Sequence, residues 1–248
     1  MIRIPLTVWG WREMALATLV TGVPGALAWV GTLQGRLWCL PIAVVLTLIW
    51  GWAISFFRDP HRVVPNDPDA LVAPADGLVT EISRIDHDSL IGGPAMRIGI
   101  FLSVFNVHIN RSPCKGVVRM IRHEPGAFLD ARHPESGSRN EANTIVIETD
   151  DPAAPTLVVR QIAGLLARRI VCDLKVGQQI ERGQRIGMIK FGSRTELIVP
   201  GHDLFSPQVA LGDKARGAAT ILALRCTGTA SSEPQAVRQP AGRAEERT

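Results

Sequence analysis

Between two strand-like runs, Arg185 to Phe191 and Thr195 to Val199, the chain sets Gly192 directly before Ser193. A serine hydroxyl is a nucleophile once a base takes its proton. A glycine before it leaves the adjacent carbonyl open and tolerates strained backbone. On these residues alone the pair also reads as an ordinary hairpin turn. Any base must come from elsewhere in the chain. Of the six histidines, His61 sits in a proline-rich stretch, His87 in a polar turn beside Asp86 and Asp88, and His123, His133 and His202 near loops. His108 differs, because it ends the apolar run Ile98 to Val107. It too has a bland reading, as a structural strand histidine. Asp76, in the corner Pro74-Ala75-Asp76-Gly77, is the carboxylate that would orient an imidazole or move a proton. The bland alternative is a turn aspartate bonding its own backbone.

These residues need a scaffold, and the 248-residue chain divides into unlike parts. All six tryptophans, Trp9, Trp11, Trp29, Trp38, Trp50 and Trp52, precede residue 53, and between Glu13 and Arg58 the single charge is Arg36. Met14 to Leu33 and Leu37 to Phe57 are each near the ~20 apolar residues that a helix needs to cross a bilayer. The short link Gln34-Gly35-Arg36 makes them a helical hairpin over residues 1–57, and Pro24 and Pro41 leave a re-entrant form open. Tryptophans near both ends suit the lipid–water boundary, and Arg3, Arg12, Arg58 and Arg62 outweigh Arg36, which predicts that both ends face the cytoplasm. The expected location is the cell membrane, with the following domain on its cytoplasmic side. A net charge of +4 suits an anionic lipid surface. No basic run interleaved with aromatics points to nucleic acid. Cys39, Cys114, Cys172 and Cys226 show neither CxxC nor metal-ligand spacing and read as small buried hydrophobes in a reducing compartment.

Residues 58–69, with Pro60, Pro65 and Pro68, read as an extended linker. Residues 70–226 hold short β-type runs: Gly77 to Ile85, Met96 to Val104, Gly116 to Arg122, Thr144 to Thr149, Thr156 to Ile162, Arg168 to Cys172, Arg185 to Phe191, Thr195 to Val199 and Ala219 to Arg225. Turn residues at short spacing predict a mainly β, antiparallel domain, with at most a helical turn at Phe128 to Ala131. Val176 to Gly187 is echoed by Leu211 to Leu222, with the second glycines one place out of register. This turn grammar resembles barrel-sandwich hybrid domains, which include lipoyl carriers. Asp213-Lys214-Ala215 matches the modified-lysine motif of those carriers, but its place near the end of a larger domain makes Lys214 a surface turn residue. Residues 227–248 hold almost no large apolar side chain and read as a disordered tail.

Six stretches in order resemble the shorter form of the phosphatidylserine decarboxylase family. They are Phe56-Phe57-Arg58-Asp59-Pro60; Pro74-Ala75-Asp76-Gly77; Phe101 to His108; Pro125 to Phe128 with Asn140 to Asn143; Gln161 to Gly164 with Ala167 to Val171; and Gly187 to Ser193. The resemblance implies a carboxy-lyase that cleaves itself between Gly192 and Ser193. Ser193 would become an N-terminal pyruvoyl group, the electron sink that a decarboxylation needs. The pyruvoyl group would form a Schiff base with phosphatidylserine, release CO2 and yield phosphatidylethanolamine. It implies a large subunit, 1–192, and a small one, 193–248, in a possible homo-oligomer, with no metal. It also reverses the bland reading of His108 and keeps Asp76 as its partner. Two departures stand out. Longer members carry a second histidine where this chain has Arg111, and they have threonine where this chain has Arg194. Which base activates Ser193 is therefore open. Arg111, Arg168, Arg169 and Arg194 are candidates for the lipid's phosphate or carboxylate. Two alternatives stand beside this reading: a pyruvoyl decarboxylase for another amino-acid-bearing lipid, such as an archaeal-type ether lipid, and a membrane-tethered adaptor or carrier without activity.

Overall fold

The apolar N-terminal part folds as two helical stretches, Val8–Leu33 and Cys39–Phe56, with the chain turning at Gly35 (φ +86°). The first opens as a 3-10 turn, Val8–Gly10, with the Thr7 side chain accepting the Trp9 N–H. It continues as α1 (Trp11–Ala17), widens into a π-turn at Thr18–Gly22 and ends as α2 (Val23–Leu33). Pro24 accounts for the π-turn: it has no N–H for the carbonyl four residues back, and the ladder widens rather than breaks. Pro41 lies in the first turn of α3 (Cys39–Phe56), where no intrahelical donor is lost. Neither proline interrupts its stretch.

Two tryptophans clasp the hairpin. Trp29 Nε1 donates to Thr47 Oγ1 at 3.0 Å, and Trp50 Nε1 donates to Thr18 Oγ1 at 3.1 Å. Leu16, Leu19, Leu27, Leu48 and Ile49 are exposed. By length and composition both stretches are able to cross a membrane, and the 18 residues of α3 rise roughly 27 Å.

The structure, a computed structural model, describes residues 6–133, 135–165, 169–190, 192–201 and 203–226. The stretch 58–69 contains no strand, so its carbonyls lack a ladder and need side-chain donors. Arginines supply them: Arg111 bonds the Pro60 carbonyl at 3.1 Å, and Arg182 bonds the Pro65 carbonyl at 2.9 Å and also that of Asp67. The extended segment is thereby lashed to the β domain.

That domain is antiparallel throughout its named strand pairs. Its largest sheet, a curled half-barrel, runs β13 (Lys214–Ala215), β2 (Gly77–Asp88), β3 (Gly93–Leu102), β11 (Ser193–Pro200), β7 (Thr156–Ala163), β6 (Ala142–Glu148), β5 (Gly116–Glu124), β9 (Gln179–Ile180). Two smaller sheets accompany it, β4 (Ile109–Arg111)–β10 (Arg185–Ile189)–β8 (Ile170–Cys172) and β1 (Ala70–Val72)–β14 (Ile221–Arg225)–β12 (Phe205–Pro207). Alternate residues face inward: Ile98, Ile100 and Leu102 of β3 meet Leu197 and Val199 of β11 in one core with Ile145, Ile147 and Val159.

The internal echo has a structural counterpart. Gly177 (φ +85°) precedes β9 as Gly212 (φ +91°) precedes β13, and Gly183 (φ +80°) precedes β10 as Ala218 (φ +63°) precedes β14. The two edge strands of the large sheet therefore come from the two copies. Ala218 explains the slipped register, because the second copy holds an alanine at the left-handed position and its glycine one place earlier.

Each predicted run has its strand, with corrections at the ends. Met96 to Val104 stops at Leu102, because Asn106 Oδ1 accepts the Ser103 N–H and hydroxyl at 2.9 and 2.8 Å and turns the chain. His87 belongs to β2 rather than to a turn, and His123 lies within β5. Phe128 to Ala131 is not helical: the Asn140 amide takes both the N–H and the carbonyl of Leu129, and the helical turn forms instead at Ser136–Arg139 (α4). The cysteines are not all buried either. Cys39 and Cys114 are, whereas Cys172 is half-buried and Cys226, just past the last strand, is exposed. Lys214 is exposed on edge strand β13, opposite Leu78.

Candidate active site

Ser193 opens β11 in the middle of the large sheet, opposite Leu102 of β3 on one side and Ala163 of β7 on the other. The strand alternation that sends Leu197 and Val199 into the core sends Ser193 and Thr195 inward too, and both are fully buried. Among the described residues the Ser193 hydroxyl has no hydrogen-bond partner. A buried polar atom left bare costs roughly 1–3 kcal/mol, so each instance needs an explanation. Gly192 holds φ +58°, with no atom within 4 Å of the place a Cβ would occupy. Glycine is required there by conformation, not by crowding. Its carbonyl, by contrast, is tightly packed: a Cβ on Gly164 would lie 2.2 Å from the Gly192 oxygen.

His108 is a second fully buried residue, and its Nε2 has no hydrogen-bond partner among the described residues. Its Nδ1 lies 3.0 Å from the Asn106 carbonyl. A carbonyl only accepts, so Nδ1 carries the proton and Nε2 presents a lone pair. The Phe56 ring, from the end of α3, lies on the imidazole with centroids 4.1 Å apart and planes 30° apart. Burial pushes the His108 pKa down to about 4, against the Asn106 bond and with help from the positive Arg58. The ring is a neutral base at pH 7.

Short connections bring the serine and histidine to one end of the sheets. Ile189, four residues before Ser193, donates its N–H to the His108 carbonyl at 3.3 Å. Leu102, opposite Ser193, runs into the Ser103–Asn106 turn that holds the imidazole. The two helix feet close the same end. Lys190, buried just before the Gly192 turn, pairs with Glu13 of α1, and Arg58, two residues beyond α3, bonds the Phe105 carbonyl. Trp9, Met14, Phe56, Phe57, Val107, Ile109 and Met188 pack into one cluster that joins hairpin to domain.

Asp76 is placed differently. Its Oδ1 accepts the Gly217 N–H at 2.8 Å and its Oδ2 pairs with Arg62 at 2.6 Å, so it joins linker, corner and second turn copy. His108 is oriented by a backbone carbonyl, not by this carboxylate. The candidate arginines also diverge. Arg111 is buried against Asp59 at 2.7 Å and against the Pro60 and Gly183 carbonyls. Arg194 points to the far face of β11, to Glu81 and Glu196. Arg169 is exposed, beside Lys190, whose N–H its carbonyl accepts at 3.2 Å. Arg168 and His202 lie outside the described residues. Burial raises the Cys114 thiol to about 12 and also raises Cys172, which makes these two thiols weak nucleophiles.

Sequence reasoning gave no role to Phe56, Asn106, Gly164 or the Glu13–Lys190 pair. It also missed a buried amide chain, Asn143 to Gln161 (2.9 Å), Gln161 to Asn110 (2.8 Å) and Asn110 to Thr195 (3.0 Å), which holds β11 against β4, β7 and β6. Phe56, Asn106, Gly164, Asn143 and Gln161 all lie in the stretches that resemble the family, so a signal was present. Glu13, the last charge before the apolar run, had none beyond its isolation.

Residues 51–223 match the sequence profile of the phosphatidylserine decarboxylase family. The chain is 41% identical over 191 residues to the phosphatidylserine decarboxylase proenzyme of Magnetococcus marinus, covering 77% of this chain and 83% of that one. It is 41% identical over 203 residues to that of Desulfotalea psychrophila, covering 81% and 93%. With that of Rhodopirellula baltica it shares 40% over 220 residues, covering 89% and 88%. A match of this extent, spanning hairpin foot, histidine turn and Gly192–Ser193, shows that the chain belongs to the phosphatidylserine decarboxylase family.

Proposed function

We propose that the chain is the proenzyme of a phosphatidylserine decarboxylase that cuts itself between Gly192 and Ser193. The observation that carries this reading is a buried, unpartnered serine hydroxyl next to a left-handed glycine, at one end of the sheets with a neutral histidine whose Nε2 is bare. Ser193 Oγ attacks the Gly192 carbonyl carbon, His108 Nε2 takes the hydroxyl proton, and the amide becomes an ester as the Ser193 nitrogen leaves with a proton. Loss of the Ser193 Cα proton then breaks the Cβ–O bond and expels Gly192 as a carboxylate. Water replaces the nitrogen of the resulting dehydroalanine, releasing ammonia and leaving a pyruvoyl group on Arg194. That group supplies an electron sink for decarboxylation by taking the substrate amine as a Schiff base.

The fragments 1–192 and 193–248 stay together on this reading, because β11 is hydrogen-bonded on both sides, to β3 and β7. Asp76 acts by fixing the corner against the linker and second turn copy, a positioning role. The uncovered hairpin supports a membrane location, and its arginine bias supports a cytoplasmic catalytic domain. The test is CO2 release from phosphatidylserine by the full chain and by Ser193→Ala. We expect release from the first and none from the second; release by the Ser193→Ala protein overturns the proposal.

A further inference from the structure

The serine that the proposed function puts at the centre of the reaction is fully buried, yet its proposed substrate is held in a bilayer. The two strands beside it suggest how they meet. Three residues past Leu102, the partner of Ser193 on β3, comes Phe105, with 70% of its surface exposed. Two residues past Ala163, its partner on β7, comes Leu165, 62% exposed. A lone exposed hydrophobe is ordinary. A pair on either side of one buried serine is a more specific arrangement.

The pair also lies at the end where the helices enter. Arg58, two residues beyond α3, donates to the Ser55 carbonyl at 2.8 Å and to the Phe105 carbonyl at 2.5 Å, tying the Phe105 turn to the helix foot. On the Leu165 side, Gly164 packs on the Gly192 carbonyl, and Lys190 in that turn pairs with Glu13 of α1. Exposed Arg169 adds positive charge beside Lys190. Apolar tips with basic neighbours, continuous with two uncovered apolar helices, match the chemistry of an anionic bilayer surface.

We propose that Phe105 and Leu165 are a second membrane contact, sinking into the lipid surface on either side of Ser193 and holding the mouth of the site at headgroup level. This rests on the lipid-decarboxylase reading. The hairpin supplies attachment, and the two loops supply depth and orientation. A substrate headgroup then reaches the buried residue without the lipid leaving the bilayer.

The test uses the full chain reconstituted in vesicles of phosphatidylserine and neutral lipid, with a short-chain, water-soluble phosphatidylserine as a parallel substrate. Changing both Phe105 and Leu165 to serine should lower turnover in vesicles about tenfold, the effect of about 1.4 kcal/mol of lost lipid contact. Self-cleavage and turnover of the short-chain substrate should stay within about twofold of the unaltered chain, a change of under about 0.5 kcal/mol. Phe105→Leu, which keeps an apolar tip, should retain the vesicle rate. Equal losses on both substrates, or no loss in vesicles, would overturn the proposal. So would a change in assembly state in detergent, which would make the patch an interface between copies. Failure of the unaltered chain to turn over either substrate would instead refute the underlying function.

Discussion

The two faces of strand β11 are built on opposite terms. Its outer face is saturated with charge: Glu196, 1% exposed, meets Arg194 at 2.9 Å, Arg160 at 3.4 Å and Arg97 at 3.6 Å, while Arg194 also reaches Glu81. Gly99 makes room for the Arg194 guanidinium, since a Cβ there would lie 2.7 Å from its nitrogen. Its inner face opens with a hydroxyl that no described residue satisfies. One face holds the strand in place by ion pairs, and on the proposed function the other leaves its first residue free to react. On that proposal, stability and reactivity fall to alternate side chains of one strand.

The difference is testable by disturbing one face at a time. The largest effect on chemistry is expected from Gly164→Ala, whose methyl would press on the Gly192 carbonyl. A displacement of that carbonyl by about 1 Å should slow self-cleavage roughly a hundredfold, read as the half-time of chain scission on a gel. On the outer face, Glu196→Gln removes the buried carboxylate shared by half-buried Arg194, Arg160 and Arg97 and should cost about 2 kcal/mol in denaturant unfolding. Cleavage of the folded fraction should survive it. If Glu196→Gln blocks scission without loss of stability, the division between the faces is wrong.

Much of this arrangement was legible beforehand. The longer strands announced themselves by alternation, the hairpin by two uncharged runs, and Ser193 by Gly192 and the ordered stretches before it. Strands β1, β4, β9, β12 and β13 have two or three residues each, too few for any period to show. The partner of His108 is hidden from the sequence for a related reason. A carboxylate is visible in sequence as a candidate partner, whereas the Asn106 carbonyl that holds the ring is backbone and every residue has one. Arg111 and Arg194 read as headgroup ligands because nothing in sequence shows that Asp59, Glu81 and Glu196 already claim them.

Smaller effects sharpen the comparison at the helix feet and in acid. Glu13→Gln leaves buried Lys190 without its carboxylate beside the cleavage turn and should slow scission about tenfold. Exchanging the two charges, Glu13→Lys with Lys190→Glu, should restore most of the rate; no rescue would mean that Lys190 does more than hold the turn. For His108 the folded pKa of about 4 lies below the ordinary 6.5, so the unfolded chain takes the proton first. Its burial therefore costs no proton-linked stability above pH 6.5, and stability falls as the pH drops from 6.5 toward 4. Urea midpoints at pH 7 and pH 4.5 should differ more for the unaltered chain than for His108→Gln. The scission rate should show no His108 titration near pH 6.5, and a fall centred there would remove this neutral imidazole as the base.

The most direct measurement of the central claim is the intact mass of the purified full chain, followed by borohydride reduction in the presence of an amine. Two fragments divided between residues 192 and 193 are expected, with the smaller one losing a blocking carbonyl on reduction. A single uncut chain of 26.9 kDa with no reducible carbonyl would contradict it.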